Sequence, residues 1–138
     1  TTGQIVLSGV ANSSLSKLNF LGTYVLGAAV SSLSTEPSAV FWENTLVGIK
    51  TDNILFRDCV FEGVSLAVKC RQTAVFNTEI KFENSRFFVN DTSVYIDGVA
   101  TQGNNWTVYD CVFEEISRQA FRSTNGQGTI INRSKFKN

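Results

Sequence analysis

The chain has 138 residues, 43 % of them hydrophobic and 12 % aromatic, enough for one domain with a real core and too apolar for intrinsic disorder. Twelve basic residues balance twelve acidic ones, so the cationic footprint of a phosphate-tracking nucleic-acid binder is missing. With no histidine and three cysteines outside any C-x-x-C spacing, the chain alone assembles neither a zinc site nor a histidine-based triad, and no cofactor is expected. It contains no P-loop, EF-hand loop or other phosphate-cradling glycine motif.

The first third is irregular. Ile5–Leu7, Tyr24–Leu26 and Val40–Trp42 read as strands of one or two early coils, separated by the Ser/Asn-rich stretch Asn12–Ser16 and by Ser31–Ser38 with the only proline, Pro37. Residues 18–35 carry no charge but are too short and too polar for a membrane span, so a buried, β-rich stretch is expected there. Only Lys17 and Glu36 are charged before Glu43, which implies a segment that is buried or covered by a partner. The chain starts at Thr1 without Met and stops at Asn138 directly after a patterned segment, and is expected to be a fragment of something longer. An odd number of cysteines argues against a disulfide framework and suits a reducing compartment, or buried thiols in a particle assembled there.

From residue 47 onward one motif occurs four times: Ile54, Phe56, Asp58, Cys59, Phe61; then Ile80, Phe82, Asn84, Ser85, Phe87; then Trp106, Val108, Asp110, Cys111, Phe113; then Thr129, Ile131, Arg133, Ser134, Phe136. Within each copy large apolar residues stand two apart, a polar pair turns the chain, and Cys or Ser and then Phe return to the same side. A further alternating segment precedes each copy, at Val47–Ile49, Leu66–Val68, Val94–Ile96 and Ala120–Phe121. A fixed interval of about 26 residues is too long for hairpins and suits stacked coils, each burying its inward residues against identical columns above and below.

The run Gly48, Ile49, Asp52, Asn53, Ile54, Phe56, Asp58, Cys59, Phe61 resembles the repeat of right-handed parallel β-helices, the pectate-lyase-like solenoids of polysaccharide-active enzymes and of phage tail spikes and fibres. The resemblance covers residues 47–138 and implies an all-β, right-handed parallel β-helix with coils of about 23–26 residues, preceded by irregular β-rich coils over residues 1–46 of the same domain. In that family a polar residue stacks at a turn, and the corresponding column here is Asp58, Asn84, Asp110, Arg133.

Stacking makes column neighbours contact neighbours. Phe61, Phe87, Phe113 and Phe136 are expected to form a ring stack, Arg57 to meet Glu83, and Asp110 to meet Arg133. Cys59 and Cys111, two coils apart at roughly 9–10 Å, lie beyond disulfide reach and should be free thiols. Candidate acids for glycoside chemistry are Asp52, Asp58, Asp97, Asp110, Glu62 and Glu114, with Asp58 and Asp110 the weak catalytic pair because they share a column; a polar ladder through Asn84 is the competing reading. Phe88, Tyr95 and Tyr109 occupy outward or corner positions and are glycan-platform candidates, the alternative being packing against another chain or against the loops 71–78 and 98–105. Sequons at Asn12, Asn90, Asn105 and Asn132 are read as incidental.

The leading expectation is a structural module of a viral (phage) tail, fibre or baseplate protein in the virion. Its partners would be other copies of itself, as the trimers of that family imply, or adjoining virion proteins, with contact to a host polysaccharide. The alternatives are a polysaccharide lyase or hydrolase module and a bacterial surface adhesin segment, which would place it outside the cell or on its surface.

Overall fold

The structure is a computed structural model that describes residues 4–44, 51–72, 78–98, 104–124 and 128–138; the expected strand at Val47–Ile49 lies outside the described residues. Among these there is no helix. The strands are β1 (Ile5–Leu7), β2 (Ala11–Ser16), β3 (Asn19–Leu21), β4 (Val40–Asn44), β5 (Asp52–Arg57), β6 (Val60–Glu62), β7 (Leu66–Gln72), β8 (Thr78–Glu83), β9 (Arg86–Gly98), β10 (Asn104–Tyr109), β11 (Val112–Ser123), β12 (Thr129–Asn132) and β13 (Lys135–Lys137).

Two sheets result. One has the order β12-β10-β8-β5-β2; the other runs β1-β4-β7-β9-β11-β13, with β6 pairing both β3 and β9. All of the pairings are parallel, and neighbours within a sheet come from successive passages of the chain, an all-β arrangement consistent with a β-solenoid. The expected columns form: Ile80 pairs with Ile54 on one side and Trp106 on the other, and Phe82 with Phe56 and Val108.

The phenylalanine column is longer than expected. Phe61, Phe87, Phe113 and Phe136 stack face to face at centroid separations of 4.9, 4.7 and 4.9 Å, and Phe20 adds a fifth ring at 4.6 Å from Phe61. Phe56 and Phe82 form a second stack at 5.0 Å, with Phe82 edge-on to Phe87. Phe56, Phe61, Phe82, Phe87 and Phe113, with Trp42, Ile54, Leu66, Ile80 and Ile96, are the largest fully buried side chains, whereas Phe20 is half-buried and Phe136, at the end of the column, is exposed.

Phe20 belongs to a fifth copy of the motif that the sequence reading missed. Leu15 pairs with Phe56 and Phe20 with Phe61, an offset of 41 residues where later coils repeat at 26 and 23. The excess is accounted for by residues 22–38, inserted between β3 and β4. Two expectations are corrected here. Asn12–Ser16 lies in strand β2, because its alternating Ser13 and Leu15 face the Ile54 and Phe56 column, and Tyr24–Leu26 forms no strand but leads into a turn within the insertion, Val25–Ala28, closed by the Ala28 amide on the Val25 carbonyl.

The corners depend on left-handed backbone. Lys17, Asp58, Asn84, Asp110 and Arg133 all have φ between 47° and 56°, and the amide of each of the first four donates to a carbonyl of the following coil. Asp and Asn tolerate this conformation because their short side chains bond locally. The Cys and Ser that follow also have separate tasks: Ser85 Oγ accepts the Cys59 amide and donates to the Glu83 carbonyl, and Ser134 does the same for Cys111 and Asn132. A second corner column reads Gly63, Val89, Glu115, with φ of 62°, 52° and 54°. Only the first is a glycine, and a β-branched residue held there is strained by about 1–3 kcal/mol. Gly22 approaches this corner so closely that a Cβ on it would run into the Gly63 carbonyl.

Two substitutions test this packing by denaturant unfolding. Phe87→Ala, in the middle of the stack, should cost about 3–5 kcal/mol. Val89→Asn should raise stability by about 1 kcal/mol by relieving the corner, and a loss would show that the Val89 side chain contributes more than its backbone costs.

Candidate functional site

The corner column places the acids Asp58 and Asp110 on the outside of the coils, with Asn84 between them. Asn84 Nδ2 donates to Asp58 Oδ1 at 2.6 Å, and Arg133 grips Asp110 through Nε at 2.8 Å and Nη2 at 2.7 Å. The guanidinium fork holds the Asp110 carboxyl below the usual carboxylate range, chiefly by hydrogen bonding. A general acid needs the opposite shift, a proton retained near neutral pH. Three of the other candidate acids also have partners: Asp52 Oδ1 accepts the Glu79 amide, Asp97 lies 3.8 Å from Arg71, and Glu114 lies 3.3 Å from Arg86 and 3.8 Å from Lys137, while Glu62 is exposed at the end of β6. The expected Arg57 to Glu83 pair forms at 2.8 Å.

The opposite side of the molecule carries the insertion, residues 22–38, as a strap across the outward faces of β7, β9 and β11. The expectation of a buried β-rich stretch over 18–35 is corrected: β3 apart, this segment has no strand partner, so its carbonyls need other donors. Cations supply them. Lys69 Nζ donates to the carbonyls of Ser34 at 2.6 Å and Glu36 at 3.1 Å, Arg71 Nη2 to Ser34 at 2.7 Å, and Arg118 Nη2 to Val30 at 2.8 Å. Ser117 Oγ takes the Gly27 amide and the Tyr24 hydroxyl, while Ser65 bonds the Glu36 carboxylate. Val30 and Leu33 anchor the strap on Leu66 and Tyr95. Burial of Lys69 lowers its pKa, with neighbouring Arg71 adding to the effect and Asp97 and Glu36 opposing it. Under the strap lies a cavity of about 250 Å³, floored by Gly63–Leu66 and walled by Ala28–Val30 and Glu36–Ala39.

The three aromatic candidates separate. Tyr95 points away from the coil interior, as the alternation requires, but with the strap packed on it, it is only 5 % exposed, so it presents no platform; the expected covering loops 71–78 and 98–105 lie mostly outside the described residues. Phe88 is half-buried with the Arg86 guanidinium 4.7 Å over its ring, and Tyr109 is half-buried beside the Asp110 corner. The strap and its three cationic partners were missed by the sequence reading. The one available signal was the uncharged stretch itself, whose polar Ser31–Thr35 portion fits neither a strand nor an exposed loop lacking charge.

Cys59 and Cys111 are buried free thiols, Cys70 is buried as well, and burial pushes Cys111 up to about 11. Asn90 is fully buried with its amide on the Val64 carbonyl, so this sequon is inaccessible in the folded chain. Among the described residues no group of three or more Cys, Asp or Glu side chains converges on a metal position, and no helix is long and apolar enough to cross a membrane. No protein-family profile, curated protein or solved structure matches the chain.

Two measurements test the site. Because the folded pKa of Asp110 is depressed, its contribution is present above the unfolded carboxylate value and lost as pH falls through the folded one. The melting temperature of Asp110→Asn should therefore fall below wild type at neutral pH and converge with it in acid; a constant offset would mean that the ion pair contributes nothing. Lys69→Met takes the donor from the Glu36 carbonyl and leaves the Ser34 carbonyl with Arg71 alone, and should cost about 1.5–3 kcal/mol. Limited proteolysis should then cut within residues 24–36 before the coils, and uniform digestion would show that Lys69 does not hold the strap.

Proposed function

We propose that the chain is a structural module of a viral (phage) tail, fibre or baseplate protein, built as a right-handed parallel β-helix. The right-handed reading is supported by the general preference of crossovers between parallel strands of one sheet, right-handed in about 98 % of cases. The observation that carries the functional reading is the unbroken ring column Phe20, Phe61, Phe87, Phe113, Phe136, flanked by carboxylates engaged in cross-coil pairs. Side chains committed to holding coils together suit a rigid spacer. They leave little for turnover, and Asp110, fixed by Arg133, offers the hydrolase reading no proton donor. In the virion such a module associates with copies of itself, as a trimer, or with adjoining virion proteins. Any host polysaccharide contact runs along Phe88 and Tyr109 and not across Tyr95.

The test is twofold. Incubation with polygalacturonate and with neutral polysaccharides should release no reducing ends or unsaturated products, and light scattering after size exclusion should give a mass three times that of the chain. Turnover abolished by Asp58→Asn or Asp110→Asn would replace this reading with the enzyme one. A stable monomer without turnover would move it to the adhesin segment.

A further inference from the structure

We propose that the cleft between the strap and the outward faces of β9 and β11 binds an oxyanion group: a carboxylate, sulfate or phosphate carried by a small polar ligand. The cleft has a volume of about 330 Å³ and brings together Ser31, Ser32 and Ser34 of the strap, Tyr95 of β9, and Arg118 and Arg122 of β11. This inference does not depend on the tail-protein reading.

The two arginines differ in a way that suits a built site. Arg118 is held in place: its Nη2 donates to the Val30 carbonyl, and its Nε lies 3.4 Å from Asp91, a carboxylate whose side chain is only 4 % exposed and which also accepts the Thr92 hydroxyl. Two nitrogens are thereby fixed and the remaining N–H groups of the fork stay available. Arg122 stands opposite Tyr95 in the strand register. Arg57, Arg71, Arg86, Arg118 and Arg133 each have a carboxylate within ion-pair distance, and Arg122 is the one arginine among the described residues that has none. It is therefore an uncompensated cation beside an oriented one.

The opposite wall completes the chemistry. Ser32 and Ser34 hydroxyls bond each other at 2.8 Å, which leaves one hydroxyl proton of the pair to donate outward. The apolar parts of the wall are already used, since Leu33 and the Tyr95 ring are buried in their own cluster, so the cleft offers a ligand polar contacts. No carboxylate is among the residues that line it: Asp91 is engaged by Arg118, and Asp97, which bonds the Tyr95 hydroxyl, by Arg71. Guanidinium forks match the planar or tetrahedral oxygens of carboxylate, sulfate and phosphate. Because the whole chain is neutral, the attraction is local to these residues and not a long-range field.

The experiment is an NMR titration of the intact chain at low salt with sodium phosphate, sodium sulfate and sodium glucuronate, with methyl glucoside as the neutral control. Saturable shifts are expected at the amides of residues 31–34 and 118–122 for at least one anion and not for the glucoside, and the tightest of the three identifies the group. Arg122→Gln, an exposed substitution, should weaken binding about tenfold while Arg122→Lys retains part of it, and Arg57→Gln should change nothing. Shifts that do not saturate, or saturable binding equal in wild type and Arg122→Gln, would overturn the assignment.

Discussion

Two lengths have to agree in this molecule. Parallel strands lie about 4.8 Å apart, so whatever points inward from one coil must fit against its copy at that spacing. Phenylalanine rings stacked face to face satisfy this: their centroids stand 4.6 to 4.9 Å apart and their planes are within 8° of parallel from Phe20 to Phe136. The ring separation and the strand separation are therefore the same distance, and each backbone hydrogen bond between coils reinforces one ring contact. Trp106 stands in the neighbouring column, paired with Ile80, so it meets Phe82 only diagonally at 6.4 Å, and Phe121 packs edge-on against it.

The same constraint governs the corners. A coil repeats only if it turns at the same place each time, and the left-handed residue between the first two strands of a coil is found at Lys17, Asp58, Asn84, Asp110 and Arg133 alike. Once the turn conformation is common, the side chains on it form a column outside the core. Asn84 bonding Asp58 and Arg133 bonding Asp110 are then ladder rungs, and carboxylates that look like a catalytic pair in one dimension become structural in three. The alternation of Cys with Ser beside the corner follows the same logic, because the serine of one coil closes the backbone of the coil before it.

Most of this was legible in the sequence because it depends on spacing. The intervals between Phe61, Phe87, Phe113 and Phe136 predicted the ring stack, the Arg57 to Glu83 and Asp110 to Arg133 contacts, and the free thiols. The first coil was not legible for an equally simple reason: the insertion lengthens its interval to 41 residues, and Ser13, Leu15 and Phe20 match the later motif at only one aromatic position. The cover over Tyr95 was beyond reach of periodicity altogether. Alternation tells which face of a strand a residue occupies, and it says nothing of what a distant segment lays over that face.

That limit matters because the strap changes the meaning of outward. On the corner side, outward residues meet solvent and pair with one another across coils. On the strap side, Lys69 and Tyr95 also point outward and are nearly as buried as the core, at 4 % and 5 % exposure. A loop laid over a sheet brings a row of carbonyls with no ladder to join, and their demand for donors explains why Lys69, Arg71 and Arg118 gather there instead of being scattered along the coils. Asp91 and Asp97 then accompany Arg118 and Arg71, which moderates the charge each guanidinium brings beneath the strap. The insertion thus sets the electrostatics of one whole face. Chemistry specific to this chain, as opposed to chemistry any repeat of this kind could carry, belongs where the repeat is broken.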